Sequence, residues 1–390
     1  MNKLEKLTLS KPFVLTLWFG LSLFAVIKMA AAGHINNYLV YKYTFINLIN
    51  KHGLYIPQPQ YYGDTNRYGP VFTVLIAPFT QLPDHVAVIV WVLLNAGLLY
   101  LAISLLPLRQ KQILAVLLIC AHELMTSSYN VQFNPMIAAF IILSFVLIKG
   151  KQDFWAAFFI MFGAMTKLYG IVGLAFFFFS EKKLKLVAGL VFWTIVLFFL
   201  PLIYTTPTFL FRCYHDWYFS LLEKNANNVM SPMQDISVIG MIRRIFHYPG
   251  VPMALVLVPA VLLFLSSYIR VKLFSNTTYQ LLILASTLIF TVIYSTSSES
   301  PTYIIAFCGV AIWFMNLNRP VTAFEIFLLI FALIITSLSP SDLFPQSINR
   351  SFIKPYALKA LPCFVIWLRI IYEALTRKFA PEELQEITSK

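Results

Sequence analysis

The residues able to do chemistry in this sequence are a few carboxylates, one isolated lysine and a run of amides. Asp64 and Arg67 stand in YYGDTNRYGP, a turn whose acid and base are either simply solvated or aimed at a ligand. Glu123 follows the apolar run ILAVLLICA almost directly, and an acid beside such a run is costly enough to mark a functional candidate. Asn130, Gln132 and Asn134 follow, all three within one turn and a half of each other, and add hydrogen-bonding groups, so this stretch reads as a polar pocket. Lys167 and Tyr169 interrupt the apolar stretch 153–180. An ammonium there demands an anion, either a carboxylate or a ligand phosphate. Arg243 and Arg244 suit phosphate and, more commonly, lipid headgroups. Glu299 sits in the short turn STSSESP.

The elements that position these groups are apolar helices. Of 390 residues, 59% are hydrophobic and only 12% charged, too few to clothe a soluble surface. A mean hydropathy of +0.76 gives an all-α polytopic membrane protein. Apolar runs fall at 12–32, 86–107, 113–128, 135–148, 153–168, 169–180, 185–204, 251–268, 278–294, 302–316, 321–338 and 359–376. This gives about twelve transmembrane helices in a single integral domain spanning 1–390, with the stretch 153–180 split at TKLYG. The net charge of +13 implies no nucleic acid partner, because the Lys and Arg residues cluster between apolar runs. The N-terminal run, with Lys28 near its end, reads as an uncleaved anchor rather than a signal peptide.

One stretch decides the sidedness. YGPVFTVLIAPFTQLPDH is apolar but short and carries Pro70, Pro78 and Pro83. If it does not cross, the clusters Lys3/Lys6, Arg109/Lys111, Lys149/Lys151, Lys182/Lys183/Lys185, Arg270/Lys272, Arg319 and Arg377/Lys378 share one side. That side is the cytoplasm, with both termini in it. The stretch then forms an interfacial or re-entrant helix pair on the outer face, which membrane depth tolerates only against protein or a water-filled cavity. The first outer loop, 33–85, also holds a surface helix with Tyr38, Tyr41, Phe45 and Leu48 on one stripe and Asn36, Asn47 and Asn50 on another. The segment 205–250 is the large outer loop. Cys120, Cys308 and Cys363 lie in apolar runs and Cys213 is isolated, so no disulfide framework is expected. No metal-ligand spacing and no cofactor motif is present.

Three segments carry a resemblance. RYGPVFTVLIAPFTQLPDHVAVIVWVLLNAGLLYLAI, YNVQFNPMIAAFIIL and FWAAFFIMFGAMTKLYGIVGLAFFFFSEKK resemble, in this order, the segments of glycosyltransferase family 87. The likeness covers roughly 36–185. It implies a GT-C-like fold with an extracytoplasmic site, and transfer of a sugar, often mannose, from a polyprenyl-phosphate donor to a lipid-linked or envelope glycan acceptor. A bacterial inner membrane is the natural setting, and membrane lipids are the remaining partners. The chemistry needs a carboxylate to take the acceptor's proton and cationic groups on the departing phosphate. On the resemblance, Lys167 binds phosphate and Gln132 and Asn134 hold sugar or phosphate oxygens; Asn130, Tyr68, Arg67, Tyr38, Asn36 and Asn37 are the further candidates for substrate contact. The family usually carries an aspartate just ahead of the tyrosine in the first outer loop. Here Asn36 and Asn37 stand there, and an amide is no base. Asp64 or Glu123 then supplies the base, Asp64 slightly ahead and Glu299 third. The alternatives are a polytopic transporter or lipid flippase, or an inactive scaffold derived from such a transferase. The polar residues sit near outer helix ends and no repeat is visible, a pattern that favours the transferase over the transporter.

Overall fold

The computed structural model describes residues 10–317 and 319–379. The expectations resting on Lys3 and Lys6 lie outside the described residues. The protein is 74% helical, and no strand occurs among the described residues. Each apolar run read from the sequence forms a helix. These are α1 (Lys11–Ala31), then, beyond a surface helix α2 (Asn36–Ile49) and a short α3 (Phe72–Ile76), α4 (Asp84–Ser104) and α5 (Gln110–Tyr129). They continue with α6 (Asn134–Lys149), α7 (Asp153–Lys167) and α8 (Lys183–Phe199). After the polar helices α9 (Pro207–Asn228) and α10 (Val238–Ile245) come α11 (Met253–Ser266), α12 (Thr277–Ile293), α13 (Tyr303–Met315), α14 (Ala323–Phe331) and α15 (Ala360–Thr376). Four apolar helices, α1, α4, α5 and Lys183–Ile203, have the length and composition to cross a membrane, and the rest of the apolar set are shorter.

The proline-rich stretch forms no helix long enough to cross a membrane by itself. It folds as α3 followed by a 3-10 turn, Ala77–Gln81. At about 1.5 Å per residue its ten residues reach about 15 Å, half of a hydrocarbon core. The stretch 153–180 breaks where the sequence suggests. α7 stops at Lys167, Leu168 takes a positive φ of 20°, and a 3-10 helix runs over Tyr169–Phe179. The bend brings Gly170 onto Gly163 so closely that no Cβ fits between them.

The chain divides into two compact units. One comprises Phe19–Ala102 and Met125–Asn227. Within it α6 packs against α7, α7 against α8, and the 3-10 helix against both α6 and α7. α6 and α7 are antiparallel neighbours. Lys149, Lys151 and Asp153 therefore gather at one end, where Lys151 meets Glu181 at 2.8 Å and Ser180 bonds Asp153. Asn134 and Lys167 gather at the other. α2 buries its predicted stripe of Tyr38, Tyr41, Phe45 and Leu48. Asn47, expected on the polar face with Asn36 and Asn50, is buried too, whereas Asn36 and Asn50 are exposed.

The other unit comprises Met1–Trp18, Ile103–Leu124 and Asn228–Lys390. Its centre is α12 against α13, with α15 alongside. At one end Glu373 pairs with both Arg319, at 3.4 Å, and Arg377, at 3.5 Å. Arg270 donates to the carbonyls of Ala374 and Arg377, and Gln112 donates to that of Met315. Four of the basic clusters thus share one end of this unit, as the charge pattern requires. Most of these arginines are tied to carboxylates or carbonyls rather than left for headgroups.

The segment 205–250 is mostly helix. Arg243 and Arg244 are buried within its last turn. Arg243 bonds Asp235 at 3.3 Å and Arg244 donates to the carbonyls of Asp235, Ser231 and Gln234. Their guanidinium groups hold a fold, not a phosphate. Burial raises the Asp235 carboxyl above its ordinary range, against the opposing pull of Ser237 and the two arginines. All four cysteines are free and buried.

Candidate active site

The site-bearing unit brings Lys167 to Asn134. Lys167 ends α7, where the helix dipole favours a cation, and Asn134 opens α6, where it favours an anion. Lys167 Nζ donates to Asn134 Oδ1 at 2.6 Å, and Asn134 Nδ2 donates to Gln132 Oε1 at 3.3 Å. The ammonium also lies 5.7 Å from the centroid of the Tyr68 ring and 5.5 Å from that of Tyr169. Amide oxygens and ring faces both attract and orient an ammonium. The arrangement can hold an anionic oxygen.

Two backbone distortions flank these groups. Val131, between Asn130 and Gln132, has φ of +50°, a region that β-branched residues avoid. Tyr41 stabilises it by donating its hydroxyl to the Val131 carbonyl at 3.1 Å, while its oxygen lies 3.3 Å from that of Tyr68. Pro135 in the first turn of α6 costs no internal hydrogen bond. Asn95 fills the remaining gap, its Oδ1 accepting from the Met136 N–H at 3.2 Å. Under the site lies an aromatic cluster in which Phe72, Trp91 and Phe133 meet largely edge to face.

The proline-rich stretch delivers Tyr68. Gly69 N–H donates to the Thr166 carbonyl at 3.1 Å, docking the stretch on the last turn of α7. A Cβ at Gly69 would run into the Met165 carbonyl and lie 2.9 Å from the Trp217 ring. Gly69→Ala is therefore expected to cost about 3 kcal/mol through overpacking against backbone. The check is thermal unfolding of the purified variant in detergent, where a midpoint equal to wild type would refute the close approach. Asn66, Tyr55 and Trp217 fix the same segment. Asn66 Oδ1 accepts from Tyr68 N–H at 3.0 Å, Tyr55 donates to the Tyr68 carbonyl at 2.9 Å, and Trp217 donates to the Arg67 carbonyl at 3.0 Å.

The remaining expected residues divide. Asn37 Nδ2 donates to the Asn130 carbonyl at 2.7 Å, and Asn36 Oδ1 accepts from Gly63 N–H at 2.7 Å. The two asparagines thus tie the head of α2 to the Asn130 turn and to the loop bearing Asp64. Asp64 is exposed and its Oδ1 accepts from Thr65 N–H at 2.7 Å. Arg67 does not pair with Asp64. It donates to the carbonyl and hydroxyl of Ser220 at 2.7 and 2.8 Å and meets Glu223 at 3.2 Å. Tyr38 is fully buried and bonds the Phe79 carbonyl at 3.1 Å, and burial pushes its phenol well above the usual tyrosine range. It is a packing residue.

Glu123 belongs to the other unit and is fully buried. Lys359 meets it at 3.0 Å, bonds Ser300 at 3.1 Å and lies 4.9 Å from the Tyr303 ring centroid. The pair locks α5 to the head of α15 beside a π-helical turn, Ala332–Leu338, whose Thr336 donates to the Lys359 carbonyl at 2.9 Å. Glu123→Ala is expected to destabilise by about 3–5 kcal/mol, since it strands a buried ammonium, whereas the double change Glu123→Leu with Lys359→Met should recover most of that loss. Unfolding midpoints of the single and double variants decide it, and equal losses in both would refute a pair held for its mutual charge. Glu299 accepts from Gln234 at 3.1 Å. Sequence reading missed Lys359, Tyr41, Tyr55, Asn66 and Asn95. A lysine at the lip of an apolar run was the one visible signal among them. The tyrosines and asparagines look in sequence like ordinary packing and turn residues.

All-helical architecture with long apolar helices and polar clusters at their ends defines a polytopic membrane protein. The sequence pattern of glycosyltransferase family 87 matches residues 66–298, more than half of the chain. The chain belongs to that family, whose members are membrane glycosyltransferases. The match includes Arg67, Tyr68, Glu123, Gln132, Asn134 and Lys167 and begins beyond Asn36, Asn37, Tyr38 and Asp64. It also runs further toward the C-terminus than the three segments that suggested it. No curated protein was found to match the chain.

Proposed function

We propose that the protein transfers a hexose, mannose first among them, from a polyprenyl-phosphate donor to a lipid-linked or cell-envelope glycan. The reaction takes place on the outer face of a bacterial plasma membrane. Twelve GT-C-like crossings leave both termini in the cytoplasm, with α3 and its 3-10 turn as the re-entrant element in the first outer loop, 33–85, and with 205–250 as the large outer loop. One observation carries the reading: the Lys167 ammonium is held on Asn134 between the rings of Tyr68 and Tyr169. A lysine so oriented suits the phosphate of the donor, with Asn134 and Gln132 taking further oxygens.

In the step itself the acceptor hydroxyl oxygen attacks the anomeric carbon. The bond from that carbon to the phosphate oxygen breaks, and polyprenyl phosphate leaves with the electron pair. Lys167 stabilises the charge that builds on it. The hydroxyl proton passes to Asp64, the exposed carboxylate one residue from the Gly63–Asn36 tie. Glu123 is the less suitable base, since its carboxylate is buried on Lys359. Asn36, Asn37, Asn130 and Arg67 position the loops rather than react.

The test is transfer in proteoliposomes from radiolabelled polyprenyl-phosphate mannose to a lipid extract. Donor-dependent label in a glycolipid product supports the reading. Folded protein that transfers nothing from polyprenyl-phosphate hexoses defeats it.

A further inference from the structure

The loop that carries Asp64 also carries an aromatic pair that the proposed chemistry does not use. Tyr61 stacks on Tyr43 of α2 with ring centroids 4.0 Å apart and planes 17° from parallel. Tyr61 is 46% exposed, although its neighbour Tyr62 is only 4% exposed. A large ring left open in this way is informative when the backbone beneath it is fixed, and here it is. The N–H groups of Tyr61 and Tyr62 both donate to the Gln58 carbonyl, at 2.9 and 3.1 Å. Gly63 is tied to Asn36. Tyr43 is held from α2, whose next residue toward the N-terminus, Lys42, meets Asp84 at 2.7 Å.

We infer that the stacked Tyr61–Tyr43 pair is the platform for the acceptor's sugar ring. The inference rests on the transferase reading and names its acceptor subsite. A pyranose presents a face of polarised C–H groups, which an aromatic face attracts through its negative quadrupole while the sugar hydroxyls stay hydrated at the ring edge. A tyrosine backed by a second ring is rigid, so little conformational entropy is lost on binding. Three residues on, Asp64 is exposed on the same pinned loop. A sugar seated on Tyr61 would hold its hydroxyl toward a carboxylate, as proton removal needs. The competing occupant is the membrane surface, which also favours tyrosine. The loop's own chemistry argues against it: Gln60 and Asp64 are exposed beside Tyr61, and a carboxylate is repelled by anionic headgroups.

The test uses the full chain in nanodiscs, with methyl hexopyranosides and hexose disaccharides as probes and saturation-transfer NMR as readout. Wild type and Tyr61→Phe should bind, and Tyr61→Ala should lose the signal. In the transfer assay Tyr61→Ala should raise the acceptor KM about tenfold and leave the donor KM unchanged. No saccharide binding to wild type, or equal binding to Tyr61→Ala, overturns the platform. So does a Tyr61→Ala variant that binds saccharide normally but loses thermal stability in nanodiscs and not in detergent, which would assign the pair to lipid. Saccharide binding that depends on Tyr61, in a protein that transfers no sugar, would sustain the platform and defeat the transferase reading alone.

Discussion

Lys167→Met should lower kcat for sugar transfer about 100- to 1,000-fold while the protein stays folded. That is the cost of removing one oriented group that meets developing charge in a transition state. The substitution keeps the length and apolar stem of the side chain. It removes the charge and the bond to Asn134 at 2.6 Å. Because the ammonium is proposed to act on the leaving phosphate, the loss should fall on kcat as well as on kcat/KM. A rise in donor KM with kcat unchanged would make Lys167 a binding group only. Lys167→Arg should restore little, since a planar guanidinium differs in shape and hydration from an ammonium seated between two tyrosine rings. The unfolding midpoint serves as the control. A loss of activity that merely tracks a lowered midpoint would give Lys167 a structural role.

Asp64→Asn carries the second large effect, a fall of about 100- to 10,000-fold in kcat, the usual contribution of a positioned base. The change is close to isosteric. Its amide oxygen can still accept from Thr65 N–H, the bond now made at 2.7 Å, so the turn should persist. Donor binding should be unaffected, because the phosphate contacts proposed above lie on Lys167, Asn134 and Gln132. The informative comparison is Glu123→Gln, which should keep most of its rate in whatever fraction folds. If Glu123→Gln is inactive at wild-type stability and Asp64→Asn is fully active, the assignment of the base is reversed. If both transfer normally, neither carboxylate is the base and Glu299 is next to be changed.

The match to family 87 begins at Asn66, so the two asparagines at the usual place of the family's acid fall ahead of it. Their observed work is mechanical. Asn36 holds Gly63 and Asn37 holds the Asn130 turn. An amide can accept from one backbone N–H and donate to a carbonyl, whereas a carboxylate can only accept. The amide is therefore needed at Asn37, which donates, whereas a carboxylate could equally accept from Gly63 at position 36; on the proposed reading the base lies on the loop that Asn36 ties.

The sequence by itself determined the helices, the break at TKLYG, the start of α6 at Asn134 and the grouping of basic clusters at common ends. These follow from local rules. An apolar run must close its own backbone hydrogen bonds, a proline ends or opens a helix, and a charge stays at a helix end. Tertiary structure alone decided who meets whom. Lys359 finds Glu123 across 236 positions, Arg67 turns to Ser220 and Glu223 rather than to Asp64, and Arg243 and Arg244 fold inward onto Asp235 and nearby carbonyls. Helical periodicity tells which face a side chain occupies but not which helix lies opposite. A buried polar group takes whatever partner the packing brings within about 3 Å. For Lys167 one such partner is Asn134, which lies 33 positions away in the chain.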